Sequence, residues 1–293
     1  MRIFALQLNN DIKGISNRKN YIESLIASLP NPDLVVLPEL AVCSYMSSQK
    51  IWKYADDCGR DTTQWAMSIA EKYHTFIGVG YLDREDGDYY NRYLIAGKAG
   101  VYGAVTKSEG ESAVFKRGDF GNIIHTPFGN VTVAICYDAK RKHFYKNIKD
   151  ESISLILFPH GCPADPKKQD EEIKNNDYFC GCYEEAFDVP VVYVNSTGAL
   201  EYMPGKMGEL MRKHGFTMNG KTKIYGKNCI PIDVKTAEVF GACIEVKDKK
   251  RRSDIRFYRD DLIKGNWIFR KFILEPDTQD GIKKYEANKR KLN

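Results

Sequence analysis

Residues 131–138 read Val131-Thr132-Val133-Ala134-Ile135-Cys136-Tyr137-Asp138, an apolar run that ends on a thiol and leads into the polar, helix-compatible stretch Ala139 to Asp150. A strand that stops on cysteine and turns into a helix places sulfur at a corner. There a nucleophile is exposed and a helix N-terminus faces it, an arrangement expected to favour thiolate over thiol. Taken alone, a cysteine at a strand end is more often a small buried hydrophobe. The reading therefore depends on what other strand ends carry.

Three charged residues upstream supply the other roles of covalent acyl chemistry. Leu34-Val-Val-Leu-Pro-Glu39 is an apolar run that ends on a carboxylate after a proline. Lys107 follows the run Val101 to Val105, and Glu111 lies four positions further on in Ser108-Glu-Gly-Glu-Ser112. Each stands at or just after the end of an apolar run, and in an α/β sheet strand ends converge on one edge, where ligand sites form.

The chain has 293 residues, of which 43% are hydrophobic and 28% charged, a globular composition with enough apolar side chains for a sizeable core. We expect one domain over residues 1–250 and a C-terminal extension over 251–293. The net charge of +5 is concentrated late, in Lys247 to Arg252 and Lys283 to Lys291. Basic runs of this length are more often a solvated face than a nucleic-acid surface, and no zinc finger, RNA-binding aromatic motif or P-loop accompanies them. No run approaches the ~18 apolar residues of a membrane span, so neither nucleic acid nor membrane is an expected partner. The N-terminal stretch Ile3 to Leu8 is too short for a secretory signal and is interrupted by Gln7. The eight cysteines are accordingly expected reduced, in the cytoplasm. Cys180-Gly-Cys182 has the wrong spacing for a zinc knuckle, and no metal is expected.

Periodicity organises the rest. Arg2 to Leu8 reads as a strand, about Ser16 to Ser28 as a helix, and Leu34 to Leu37 as a continuous apolar strand buried on both faces. Thr62 to Tyr73 reads as a helix and Phe76 to Leu82 as a strand. Hairpins are expected at Tyr89–Ile95 with Val101–Val105, and at Asn122–Thr126 with Val131–Ile135. A helix over 139–149, a strand Ile153 to Phe158, a long helix from about Lys167 to Phe187 and a strand Val191 to Asn195 complete a β-α-β-α-β run.

As a unit, Cys136 would be the nucleophile, Glu39 the proton acceptor and Lys107 the cation facing the developing anion, with the Tyr137 amide as a second oxyanion donor and Glu111 holding Lys107. Singly, each has a plainer reading: a surface carboxylate, a solvated hairpin lysine, a loop glutamate. Their joint occurrence in these contexts favours chemistry.

Leu-Pro-Glu39 after a buried strand, Tyr90-Asn91 before a strand, Lys107 after Val101–Val105, Glu111 with Gly118-Asp119 before Thr126-Pro-Phe-Gly129, Ile135-Cys136-Tyr-Asp138, and Ala186 to Gly198 together resemble the nitrilase superfamily of carbon-nitrogen hydrolases. The resemblance covers about residues 1–245. It implies an α/β fold, the four-layer α-β-β-α sandwich of the nitrilase type, with a Glu39-Lys107-Cys136 triad, a supporting Glu111, and no cofactor. It further implies a homodimer or higher homo-oligomer, with Trp267 to Leu274 as an arm to a partner subunit. Two departures stand out. The Lys107–Glu111 segment is short and lacks a His-Leu after the lysine, and Ala139-Lys-Arg-Lys-His143 replaces an Arg-Phe-Pro-Glu type sequence.

Ile-Cys136-Tyr-Asp is closer to the amidase and carbamoylase branches than to true nitrilases. The expected substrate is a small linear amide or N-carbamoyl compound, with nitrile hydrolysis, acyl transfer or a non-catalytic binding role as alternatives. Expected pocket walls include Tyr45, His160, Cys162 and Asn195 to Thr197. Leu200 to Tyr225 reads as a lid or interface loop.

Overall fold

The computed structural model describes residues 1–234 and 236–291. Two sheets form its centre. The first runs in the order Ile230–Ile232, Val239–Cys243, Arg2–Leu6, Leu34–Val36, Phe76–Glu85, Asp88–Gly97, Gly100–Thr106, with Asp56–Asp57 also pairing to Phe76–Glu85. The second runs Lys223–Tyr225, Val191–Val194, Leu155–Pro159, Gly129–Val133, Ile123–Thr126. The central pairings are parallel in both: Ile3 opposite Leu34 and Leu34 opposite Phe76 in the first sheet, Leu155 opposite Val131 and Ile156 opposite Val191 in the second.

Side-chain alternation sorts these strands into layers, because successive residues of a strand face opposite sides of its sheet. From the first sheet, Phe4, Leu6, Val35, Ile77, Val79 and Leu94 pack with Ile22, Leu25 and Ile26 of helix α1 (Ile15–Ala27) and Ala66, Ile69 and Ala70 of α2 (Arg60–Lys72). Their neighbours Ile3, Ala5, Leu34, Val36, Tyr93 and Ile95 turn the other way, against Val131, Val133, Leu155, Leu157, Val192 and Val194 of the second sheet. The outer face of that sheet, with Ile156, Phe158, Val191 and Tyr193, carries Phe144 and Ile148 of α3 (Lys142–Ile148) and Phe179, Tyr183 and Phe187 of α4 (Gln169–Phe187). Helix, sheet, sheet and helix thus stack over three apolar seams, and strands buried on both faces explain the continuous apolar runs in the sequence.

Five features differ from the sequence-based expectations. The strand before Cys136 ends at Val133, and Cys136 opens a 3-10 turn, Cys136–Lys140. The α-helix begins only at Lys142, because Arg141 is extended (φ −97°, ψ 139°). Leu200–Tyr225 is no simple loop: it holds α5 (Gly205–Lys213), the strand Thr217–Asn219 and the edge strand Lys223–Tyr225. Val239–Cys243 returns to pair antiparallel with Arg2–Leu6, so the first sheet is completed from the far end of the chain. Finally, the C-terminal extension docks on its own chain. After α6 (Asn266–Phe269) and a π-helical stretch Arg270–Leu274, α7 (Glu275–Lys289) inserts Tyr285, 3% exposed, edge-on against Trp52, which itself stacks on Tyr89. Within the expected arm, Ile268 and Phe272 stay exposed.

Candidate active site

Glu39 comes from the first sheet. Pro38 has no N–H to continue the ladder, so the Leu34–Val36 strand ends and the chain turns at the carboxylate. Glu39 is fully buried and held by three donors: Asn91 Nδ2 (2.7 Å) and Lys107 Nζ (2.6 Å) to Oε1, and the Gly161 amide (2.6 Å) to Oε2. The amide can come this close because position 161 is glycine; a Cβ there would run into the Tyr45 ring and lie 2.9 Å from Glu39 Oε2.

Lys107 follows the strand Gly100–Thr106 and is 4% exposed. Besides Glu39, its Nζ donates to Glu111 Oε2 at 2.7 Å, and Glu111 Oε1 accepts from the Tyr45 hydroxyl at 2.6 Å. The short loop that departs from the family pattern is thus what lets a lysine clasp the glutamate four residues on. That loop is tied to the turn that begins at Cys136, since Asp138 Oδ2 accepts from the Ser108 amide at 2.8 Å. Arg141 bridges Glu109 (3.2 Å) and Asp261 (3.5 Å) just behind.

Cys136 comes from the second sheet and closes the seam between the two. It occupies the left-handed region (φ 52°), a strained conformation for a side-chain-bearing residue that turns the thiol out of the strand's alternation. Cys162, partly buried, packs against the same cluster and hydrogen-bonds to the Cys136 side chain. The charges of Glu39 and Lys107 both act on its sulfur.

The electrostatics run against one expectation, since the surroundings of Cys136 favour the thiol over the thiolate. The hydrogen bond to Cys162, burial and the negative charge of Glu39 push its pKa well up, and Lys107 only partly opposes them. Burial, together with the charge of Glu111, also holds the Glu39 carboxyl above its ordinary 4.5 despite Lys107. Burial disfavours the charge on Lys107, but Glu111 and Glu39 outweigh it and push its pKa well up, so the ammonium stays charged.

The structure brings Glu39, Lys107, Glu111 and Tyr45 into one hydrogen-bonded network beside Cys136. Asn195 stands behind it, its amide clamping the Cys162 backbone at both ends (3.0 Å from N, 3.0 Å to O). His160 is 1% exposed and donates through Nδ1 to the Phe158 carbonyl at 2.9 Å; burial and Lys140 depress its pKa to about 3, so it is neutral. The Tyr137 hydroxyl turns away to Asp261 (3.0 Å), while its amide lies in the first turn of the 3-10 segment, where no intrahelical acceptor exists. Sequence reasoning missed the roles of Asn91, Gly161 and Asp138. A buried asparagine in mid-strand was the one available signal, since strands disfavour that residue.

Among the described residues, no group of three or more His, Cys, Asp or Glu side chains is placed to hold a metal ion, and no helix is long and apolar enough to cross a membrane.

The carbon-nitrogen hydrolase family model matches residues 9–230. The chain belongs to the carbon-nitrogen hydrolase family. A probable nitrilase of Schizosaccharomyces pombe is 28% identical over 137 residues, 44% of this chain and 50% of that protein; the chain spans about half the length of this curated relative. Among solved structures, a carbon-nitrogen hydrolase from Helicobacter pylori G27 superposes with a TM-score of 0.67 at 19% identity, covering 83% of this chain and 88% of the other. An amidase from Nesterenkonia sp. gives 0.61 at 15% identity over 93% and 96%. At such identities the likeness is one of fold.

Proposed function

We propose that the protein hydrolyses a linear amide or N-carbamoyl compound through a thioester on Cys136. The observation that carries this reading is the Lys107 ammonium, bound to two carboxylates at 2.6 and 2.7 Å. An ammonium has three donors, so one N–H remains for an oxygen that gains charge beside the thiol.

The chemistry follows from the resting protonation. Glu39 takes the Sγ proton as sulfur attacks the carbonyl carbon, and its raised pKa makes it a better acceptor than a solvated carboxylate. The oxyanion is met by Lys107 and by the Tyr137 amide. Collapse breaks the C–N bond, and the leaving ammonia or amine recovers the proton from Glu39. Water, deprotonated by the same carboxylate, then cleaves the thioester to the free acid and restores the thiol. A buried thiol that ionises only when its neighbour accepts the proton is protected from adventitious alkylation between turnovers.

Amides are favoured over nitriles because Tyr137-Asp138 follow the cysteine; likeness to an amidase and to a probable nitrilase leaves both chemistries in the family. The test is ammonia release from matched amide and nitrile substrates, with intact mass spectrometry to trap the acyl-Cys136 adduct. Ammonia from the nitrile alone would overturn the amide reading. Undiminished turnover by Cys136→Ser would remove the nucleophile assignment.

A further inference from the structure

Contacts from the C-terminal extension fall on both sides of Glu111. On one side, Glu109 is 8% exposed and its carboxylate meets Arg141 at 3.2 Å, Arg270 at 3.4 Å and Arg117 at 3.6 Å. Arg270 opens the π-helical stretch of the extension, 161 positions further along the chain. On the other side, Ser112 Oγ donates to the Thr278 carbonyl of α7 at 3.1 Å. Between them Gly110 takes a positive φ of 95°, a pivot that leaves the loop free to swing unless its ends are held.

The same stretch of α7 carries Gly281 in its interior, where glycine costs a helix about 1 kcal/mol relative to alanine. A close approach of two backbones accounts for it. A Cβ at 281 would stand 2.5 Å from Ser112 Oγ, 2.9 Å from the Ala113 nitrogen and 3.2 Å from the Ser112 carbonyl carbon, and only the hydroxyl could rotate away. Two further contacts seat the following residues on the same helix. Lys116 and Lys289 share Asp88 at 2.6 and 2.5 Å, and Trp52, against which Tyr285 packs, donates to the Val114 carbonyl at 2.8 Å. The Val114 and Phe115 amides in turn donate to the Glu111 carbonyl at 2.8 and 3.1 Å, so a displacement of this segment is passed directly to Glu111.

We infer that the C-terminal extension is a positioning element of the active site of its own chain, in which Arg270 and Gly281 hold the loop on either side of Glu111 and thereby set where that carboxylate meets Lys107. For its effect on turnover the inference rests on the hydrolase reading above; its effect on the charge state of Glu39 does not. Tyr45 and Lys107 bind only the tip of the Glu111 side chain, and the extension fixes the backbone from which it springs.

The experiment reads Glu39 directly. Its carboxyl group is faced by Lys107, Glu111, Cys136 and Tyr45, and Glu111 raises its pKa. Carboxyl 13C NMR of the full-length protein, with Glu39→Gln marking the signal, should show Glu39 titrating at lower pH in Gly281→Ala, where the added methyl drives Glu111 away. In a Glu111→Gln background the same substitution should add no shift, because the charge it displaces is gone. Relief of the contact needs about 0.5 Å, about half the misplacement that costs a hundredfold in rate, so kcat for ammonia release should fall about tenfold with KM changed far less. Lys283→Ala, at an exposed position of α7, should leave both readings as in the wild type. Arg270→Met, which leaves the helix contact intact, should move the titration in the same direction by a smaller amount. A Glu39 titration unmoved in folded Gly281→Ala, or in Arg270→Met should the first variant not fold, would overturn the inference, since a helix that only stabilised the fold would lower the melting temperature and leave Glu39 alone. If the wild-type protein releases ammonia from neither amide nor nitrile, the hydrolase reading fails and the titration decides the positioning role by itself.

Discussion

Replacing Gly80 with alanine tests how the fold holds Glu39, the proposed general base. Gly80 lies in the strand Phe76–Glu85, opposite Tyr93, and its carbonyl accepts from the Val42 amide. A Cβ at this position would stand 2.5 Å from the Pro38 carbonyl oxygen, 2.6 Å from the Leu40 nitrogen and 3.0 Å from the Glu39 carbonyl carbon. Those three atoms belong to the backbone of Pro38, Glu39 and Leu40, so no flexible side chain can yield. Relief requires the Pro38–Leu40 segment to move by about 0.5–1 Å to reach van der Waals distance. Overpacking of that kind costs about 1–3 kcal/mol of stability. The Glu39 carboxylate is pinned by Asn91, Lys107 and Gly161 at 2.6–2.7 Å, so a shifted backbone must stretch those bonds or twist the side chain. A misplacement on this scale lowers a catalytic rate by about a hundredfold. Steady-state ammonia release should show kcat down by that order with KM changed far less, and thermal melting should show a folded, destabilised protein. The control is Gly181→Ala in α4, where an added Cβ meets nothing within 4 Å; it should stabilise by up to about 1 kcal/mol through helix propensity. A Gly80→Ala protein with lowered melting temperature and wild-type kcat would refute the claim that this backbone contact sets the position of Glu39.

Asp138 is pushed up to about 8, chiefly by burial, so between 3.8 and 8 the native state keeps a proton that the unfolded chain has lost, and stability falls as pH rises across that window. Asp138→Asn keeps an acceptor for the Ser108 amide and removes the slope; urea unfolding should find its advantage over wild type growing by about 3 kcal/mol from pH 5.5 to 7.5, and parallel curves would contradict the assignment. Glu111 raises the pKa of Glu39, so Glu111→Gln should move the acid limb of the kcat/KM profile to lower pH while reducing kcat, and an unmoved limb would separate the two carboxylates. Tyr285→Ala removes the ring packed on Trp52 and strands the Tyr89 amide that donates to its hydroxyl at 2.9 Å. It should cost about 3–5 kcal/mol in chemical denaturation, whereas a loss within 0.5 kcal/mol, as about expected of a surface site, would show that the C-terminal helix is dispensable.

Much of this architecture was legible because burial imprints on sequence. Leu34–Val36, Leu155–Pro159 and Val191–Val194 read as continuous apolar runs because seams press on both of their faces. α1 and α2 were visible from one-sided periodicity, and α4 as a long polar stretch between two apolar runs. The strand Val239–Cys243 was not, since its pairing with Arg2–Leu6 is a contact between residues more than 230 positions apart, and no local pattern encodes such a partner. α5 escaped notice because a segment rich in Met, Lys and Gly carries weak helix signals, and its start is set from outside, with Asp277 of α7 accepting from the Lys206 and Met207 amides.

The candidate site divides along the same line. Glu39, Lys107, Glu111 and Cys136 each stand at the end of an apolar run, so their convergence at strand ends followed from the sequence by itself, as did the residue types that acyl chemistry needs. Protonation state, however, is a property of surroundings. That Cys136 rests as a thiol and Glu39 as a proton-avid carboxylate follows from burial and from Cys162, Lys107 and Glu111, groups brought together from strands of two different sheets. Desolvation and Coulomb energies depend on distances of a few ångströms across the chain, and only the packed tertiary structure sets those distances.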